Sequence, residues 1–169
     1  MWDAWYDGGS NSWNLQQINA GGLTNGPAAV GGPFVSVFGQ QQHFAYPDTA
    51  GIIWDSWYDG GSNSWNLQQI NAGGLTNGPA AVGGPFVSVF GQQQHFAYLD
   101  SAQIIWDAWY DGGDNSWNLQ QVNVGSFTNG GVTTGPSAIS GPFVWVYSQQ
   151  QHFTYRDNGG AIWDAWYQG

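Results

Sequence analysis

Apolar and polar residues alternate with a period of two in short stretches along the chain, and Gly, Asn, Asp and Pro separate the stretches. Residues 83–122 show the pattern most clearly. After Gly83-Gly84-Pro85, the segment Phe86–Phe90 puts Phe86, Ser88 and Phe90 on one face and Val87 and Val89 on the other. Residues 94–98 set Gln94, Phe96 and Tyr98 against His95 and Ala97. A turn at Asp100-Ser101-Ala102 leads to a third segment, 104–110, and residues 111–115 lead to a fourth, 116–122. β-branched and aromatic residues crowd these segments and none has a helical period, so the pattern predicts four β-strands and an all-β protein.

The four segments recur along the chain. Trp54-Asp55-Ser56-Trp57-Tyr58 has copies starting at Trp2, Trp106 and Trp163; the first two steps are 52 residues and the last is 57. The chain therefore divides into repeat units 2–53, 54–105 and 106–162 and a closing strand 163–169, all within one repeat domain, 1–169. Units one and two differ only at Ala4/Ser56, Pro47/Leu99, Thr49/Ser101 and Gly51/Gln103, which leaves 48 identities. Natural repeats usually drift further, so a very recent duplication or a designed chain is expected. Unit three carries five extra residues within 127–136, a Gly/Asn/Pro segment expected to be a turn, where added length costs little.

A four-stranded antiparallel unit repeated every fifty or so residues predicts a β-propeller blade. A β-trefoil also holds three four-stranded units. Gly-Gly and Gly-Pro turns into each unit, and two Trp three apart on each third strand, favour flat sheets stacked face to face. A propeller ring needs at least four blades, so three per chain predict assembly, most simply a homodimer closing a six-bladed ring. By strand number the chain reads 3-4, 1-2-3-4, 1-2-3-4, 1-2-3, thirteen strands where three blades need twelve. The last blade lacks a fourth strand, which residues 13–18 can supply by domain swapping. One copy of the third strand, 2–7 or 163–168, is then expected to be frayed or displaced.

Composition narrows the partners. All 11 acidic residues are Asp, the only base is Arg156, and the formal charge is −10. Such a chain has nothing to neutralise phosphates, so nucleic acid and anionic membrane surfaces are poor partners. Without Cys there are no disulfides or thiolate metal sites, and no apolar run approaches the ~18 residues of a membrane span. Met1 is followed at once by a repeat motif, which does not resemble a signal peptide; a soluble chain is expected, in a secreted or a bacterial cytoplasmic setting. Sialidase-type hydrolysis needs several Arg plus a Tyr and a Glu; with one Arg and no Glu, no enzyme of that kind is expected.

Three motifs carry a resemblance to a known family: Ile52-Ile53-Trp54-Asp55-Ser56-Trp57-Tyr58, then Asn63-Ser64-Trp65-Asn66-Leu67-Gln68-Gln69, then Gly73-Gly74-Leu75-Thr76-Asn77-Gly78-Pro79. Together they resemble the blades of Photorhabdus-type bacterial β-propeller lectins, over all three units. Those lectins carry a whole ring of blades in one chain, and an acidic residue where this chain has His43, His95 and His152. The resemblance implies glycan partners, fucosylated or O-methylated sugars among them, and a ligand contact at these three His.

The remaining candidates come from the residues themselves. Each His lies in Gln-Gln-Gln-His-Phe-x-Tyr, once per unit, too far from the others in a ring to share a metal; bonding to a neighbouring backbone is the structural alternative. Most Asp sit at turns, before Gly-Gly or small residues, where Asp caps routinely. Asp3, Asp55, Asp107 and Asp164 lie mid-strand between two Trp, and could accept bonds from sugar hydroxyls or from a neighbouring blade's backbone. Sugar recognition uses an aromatic face against pyranose C–H groups, with neutral amides at the rim. Trp54, Trp106 and Trp163, with Trp65 and Trp117, supply aromatic faces, although core packing between blades can absorb some of them. The expected function is a multivalent, non-catalytic, carbohydrate-binding lectin with sites between blades and no cofactor or metal. The alternative is a near-symmetric engineered or reconstructed scaffold whose role is folding and self-assembly.

Overall fold

The computed structural model describes residues 1–126 and 132–168, and all regular structure among them is β. β1 (Trp2–Asp7) and β2 (Ser12–Gln17) form a hairpin. The first four-stranded antiparallel sheet holds β3 (Phe34–Phe38), β4 (Gln41–Pro47), β5 (Ile53–Asp59) and β6 (Ser64–Gln69) in sequential order. The second repeats it with β7 (Phe86–Phe90), β8 (Gln93–Leu99), β9 (Ile105–Asp111) and β10 (Ser116–Gln121). After β11 (Val124–Ser126) and β12 (Val132–Thr134), a three-stranded sheet of β13 (Phe143–Tyr147), β14 (Gln150–Arg156) and β15 (Ile162–Gln168) ends the described chain.

The thirteen blade strands follow the expected 3-4, 1-2-3-4, 1-2-3-4, 1-2-3 order. Residues 127–131 of the inserted segment, expected to be a turn, lie outside the described residues; a ladder between β11 and β12 flanks them. Within one chain β1 pairs along its length with β2, and β15 with β14, each with its own neighbour; the displacement of one third-strand copy is an expectation for the two-chain ring.

Turn chemistry explains the strand ends. Between β5 and β6, Asp59 Oδ1 accepts the Gly61 N–H at 2.9 Å, the Ser62 hydroxyl donates to Asp59 Oδ2 at 2.9 Å, and the Tyr58 hydroxyl donates to Asn63 Oδ1 at 2.6 Å. Asn63 takes the left-handed conformation, φ 53°, which Asn tolerates better than most residues. Asp48 likewise caps the turn before β5, accepting from Ala50 N at 2.8 Å and Ile52 N at 3.0 Å.

Register gives each sheet two unlike faces. On the first sheet, Ser36, His43, Ala45, Asp55, Trp57 and Gln68 share the His face; Phe44, Tyr46, Trp54, Ser56, Trp65 and Leu67 share the other. The His face of one sheet packs on the opposite face of the next. Ala45 and Ile53 meet Phe96, Tyr98, Trp106 and Leu119, and one step on Ala97 and Ile105 meet Val144, Phe153 and Tyr155. Phe34, Phe86 and Phe143 link the first strands of the three sheets, with ring centroids 5.2 and 5.5 Å apart. Repeated sheets stacked in this way are blade-like units of the kind a β-propeller uses.

Candidate functional site: the clefts between blades

The antiparallel register places His43 opposite Trp57 and Ala45 opposite Asp55, so His43 and Asp55 are diagonal neighbours on one face. His43 Nδ1 lies 2.8 Å from Asp55 Oδ2, and the Gln68 side-chain N–H donates to the same oxygen at 3.1 Å. The imidazole stacks against Trp57, with centroids 5.8 Å apart and planes 14° from parallel. His95 repeats this with Asp107 at 2.9 Å and Trp109 at 5.8 Å, and His152 with Asp164 at 2.8 Å.

Asp55 and Asp107 are fully buried. A buried carboxylate accepts the Nδ1–H, which orients the ring and points Nε2 away from the Asp. Nε2 of His95 and of His152 is buried with no hydrogen-bond partner among the described residues, whereas Nε2 of His43 faces the acceptor oxygen Gln41 Oε1 at 3.3 Å. Asp55, Asp107 and Asp164 each hold the His of their own blade, and the mid-strand Asp3 of the hairpin, which has no His, accepts from the Gln16 side chain at 3.1 Å.

Between the first and second sheets these groups line a cavity of about 170 Å³, with His43, Trp57 and Gln68 on one wall and Gln94, Tyr110 and Trp117 on the other. The Gln94 side-chain N–H donates to Ser36 Oγ at 3.3 Å across the cleft. Phe38, Gln41 and Tyr110 continue into a wider groove of about 560 Å³ at the turns, which Asp59 and Gln92 also border. The Ser62 hydroxyl and the Gly61 N–H hold the Asp59 carboxyl below the usual carboxylate range. On Asp111, the Gln93 amide and the Gly113 N–H do the same. The cleft thus offers aromatic faces, neutral amides and an oriented imidazole. Among the described residues no three His, Cys, Asp or Glu side chains converge as a metal site would require.

The expected site residues divide by position. His43, Asp55 and Trp117 meet around the first cleft. His95 and Asp107 face the second, and His152 and Asp164 lie on the outer face of the third sheet. Trp65 lines an equivalent cleft of about 480 Å³ between the β1–β2 hairpin and the first sheet, with Asp3, Trp5 and Gln16 opposite. Trp54, Trp106 and Trp163 point the other way from the His of their own blades. Their indole N–H groups donate to Asp48, Asp100 and Asp157 at 3.0, 2.9 and 2.9 Å, anchoring the turn before the strand. Trp57, Gln68, Gln94 and Tyr110 were not among the sequence candidates. Alternation already put Trp57 and Asp55 on one side; the strand register that adds His43 was the missing signal.

The third blade departs from the repeat at this site. Trp145 replaces Ser36 and Ser88, and its ring lies 4.0 Å from His152 at 12°. Its indole N–H donates to Thr154 Oγ1 at 3.1 Å, and Thr154 in turn donates to Asp164 at 3.2 Å. No protein-family model matches this chain, and no curated protein matches it significantly.

Proposed function

We propose that this protein is a multivalent carbohydrate-binding lectin without catalytic activity, whose sugar sites are the clefts between neighbouring blades and whose two copies close a six-bladed ring. The first cleft carries this reading. Trp57, Tyr110 and Trp117 offer apolar faces to the C–H patch of a pyranose, the Gln68 and Gln94 amides can bond its hydroxyls, and the His43–Asp55 pair holds an oriented imidazole behind them. Neutral donors and acceptors suit a neutral sugar better than an anionic one on a chain of charge −10. Repetition of the cleft turns weak single-site affinity into avidity on a glycan surface. The 48 identities between the first two units favour a second reading, a designed scaffold whose aromatics serve packing alone.

A glycan array that includes fucosylated and O-methylated sugars separates the two. Selective binding that free sugar competes away, and that His43→Ala together with Trp117→Ala lowers at least tenfold, is the expected result. A silent array from folded protein sinks the lectin reading.

A further inference from the structure

The three His–Asp pairs of one chain have unequal surroundings. Trp117 of β10 closes the first cleft, beside Gln94 and Tyr110. The second cleft has counterparts of the last two: the Gln151 side-chain N–H donates to Ser88 Oγ at 3.2 Å, and Tyr167 meets Phe90 edge-on at 6.4 Å. It has no counterpart of Trp117, because the third sheet stops at β15. The strand that would supply one is at the other end of the stack. β2 reads Ser-Trp-Asn-Leu-Gln-Gln, as β6 and β10 do. Its Trp13 and Leu15 are 75% and 66% exposed, whereas Trp117 and Leu119 pack against a core cluster. The opposite face of the hairpin already meets the first sheet through Asp3, Trp5 and Gln16, so only the Trp13 face is open.

We infer that β2 of a second copy adds to the free edge of β15 as the fourth strand of the third blade, and so brings Trp13 of the partner subunit over the His95 cleft. Only the first cleft is then complete within one chain; the His95 site is shared. β15 is the third-strand copy that stays. It pairs along all its residues with β14, its Trp163 is tied to Asp157, and its Asp164 holds His152. β1 gives up its pairing: its Trp2 is 61% exposed and its Tyr6 50%, and the places of its Asp3 and Trp5 against the first sheet pass to their repeat counterparts on β15, Asp164 and Trp166. The inference rests on the two-chain ring proposed above and assigns one of its sites.

The chain has no Cys, so introduced disulfides report strand neighbours directly. In the complete second sheet Leu119 stands opposite Ala108, and in the hairpin Leu15 stands opposite Ala4. Opposed Cβ atoms at such positions lie about 4.5–5.5 Å apart, within a small adjustment of disulfide geometry. Leu15→Cys with Ala165→Cys, oxidised in the full chain, is expected to give a covalent dimer in high yield, and Leu15→Cys with Ala4→Cys little bridging. A quantitative within-chain bridge from the second pair and no covalent dimer from the first overturns the inference. Trp13→Asp gives a second readout: exposed in the single chain, it should leave β circular dichroism intact while light scattering falls to the 18.3 kDa of one chain. Retention of twice that mass counts equally against strand exchange. Neither readout involves sugar, so a silent array with intact cross-chain bridging removes the lectin reading alone, and the converse removes the shared site alone.

Discussion

Tyr98 is fully buried, and its hydroxyl has no hydrogen-bond partner among the described residues. It lies against Gly78, where a Cβ would collide with the phenol oxygen; Tyr46 over Gly26 and Tyr155 over Gly135 repeat the arrangement. These Gly sit in turns that the sequence marks plainly, yet their reason is close approach of a distant ring, which no local pattern reports. Burial pushes the Tyr98 phenol well above its usual 10.0, and the charges of Asp100 and Asp107 add to the effect. The fold holds the neutral form, so this contribution is whole below the ordinary phenol pKa and is lost as pH rises past it. Because its hydroxyl bonds nothing, Tyr98→Phe is expected to unfold within about 1 kcal/mol of the parent at neutral pH. Above about pH 10 it should lose less stability than the parent does, read as denaturant midpoints at neutral and alkaline pH. An equal alkaline loss in both proteins would contradict the assignment.

At the scale of the element, each of the two four-stranded blades is fastened by an Asn that follows its fourth strand. Asn71 is fully buried; it accepts the Ile53 N–H at 2.7 Å and donates to Gly51 O at 3.1 Å and Pro79 O at 2.8 Å. Asn123 repeats the set with Ile105, Gln103 and Pro136. One side chain thus joins the start of the third strand to the turn before it and to the loop that leads to the next blade. Asn71→Ala removes the partner of the buried Ile53 N–H and two bonds to partly buried carbonyls, of which Gly51 O keeps the Ala81 N–H, and is expected to cost about 2 kcal/mol in chemical denaturation; a loss under about 1 kcal/mol would mean that other groups hold these segments. Strand bounds were legible because alternation and the Asp-Gly-Gly turns are local signals. The latch was not, since Asn71 stands beside a Gly-rich loop and reads like any turn Asn. The His43–Asp55 pair was half legible: both residues were singled out, but their partnership depends on the register of β4 against β5, and one residue of slip would have sent them to opposite faces.

At the scale of the whole molecule, charge and surface chemistry oppose each other in assembly. Each copy carries −10 with Arg156 as its only Arg or Lys, so two copies repel, while the open faces bear Trp2, Trp13, Leu15, Phe143, Tyr147 and Ile162, each at least 61% exposed. Salt screens the first effect and leaves the apolar contact intact. The dissociation constant of the proposed dimer, measured by sedimentation, is therefore expected to fall at least tenfold as NaCl rises from about 0.05 to about 0.5 M, where the screening length drops below roughly 5 Å. Dissociation promoted by salt would instead require cross-chain ion pairs, which one Arg per chain can scarcely supply. Acid is a poorer way to remove the repulsion. Hydrogen bonds from Ser10, Ser62, Gln93 and Trp163 come first among those holding the carboxyls of Asp7, Asp59, Asp111 and Asp157 below 3.8. Their stabilisation is whole above that value and is lost as pH falls through the lower folded-state values, so protonation that relieves the charge also loosens the turns that shape each blade.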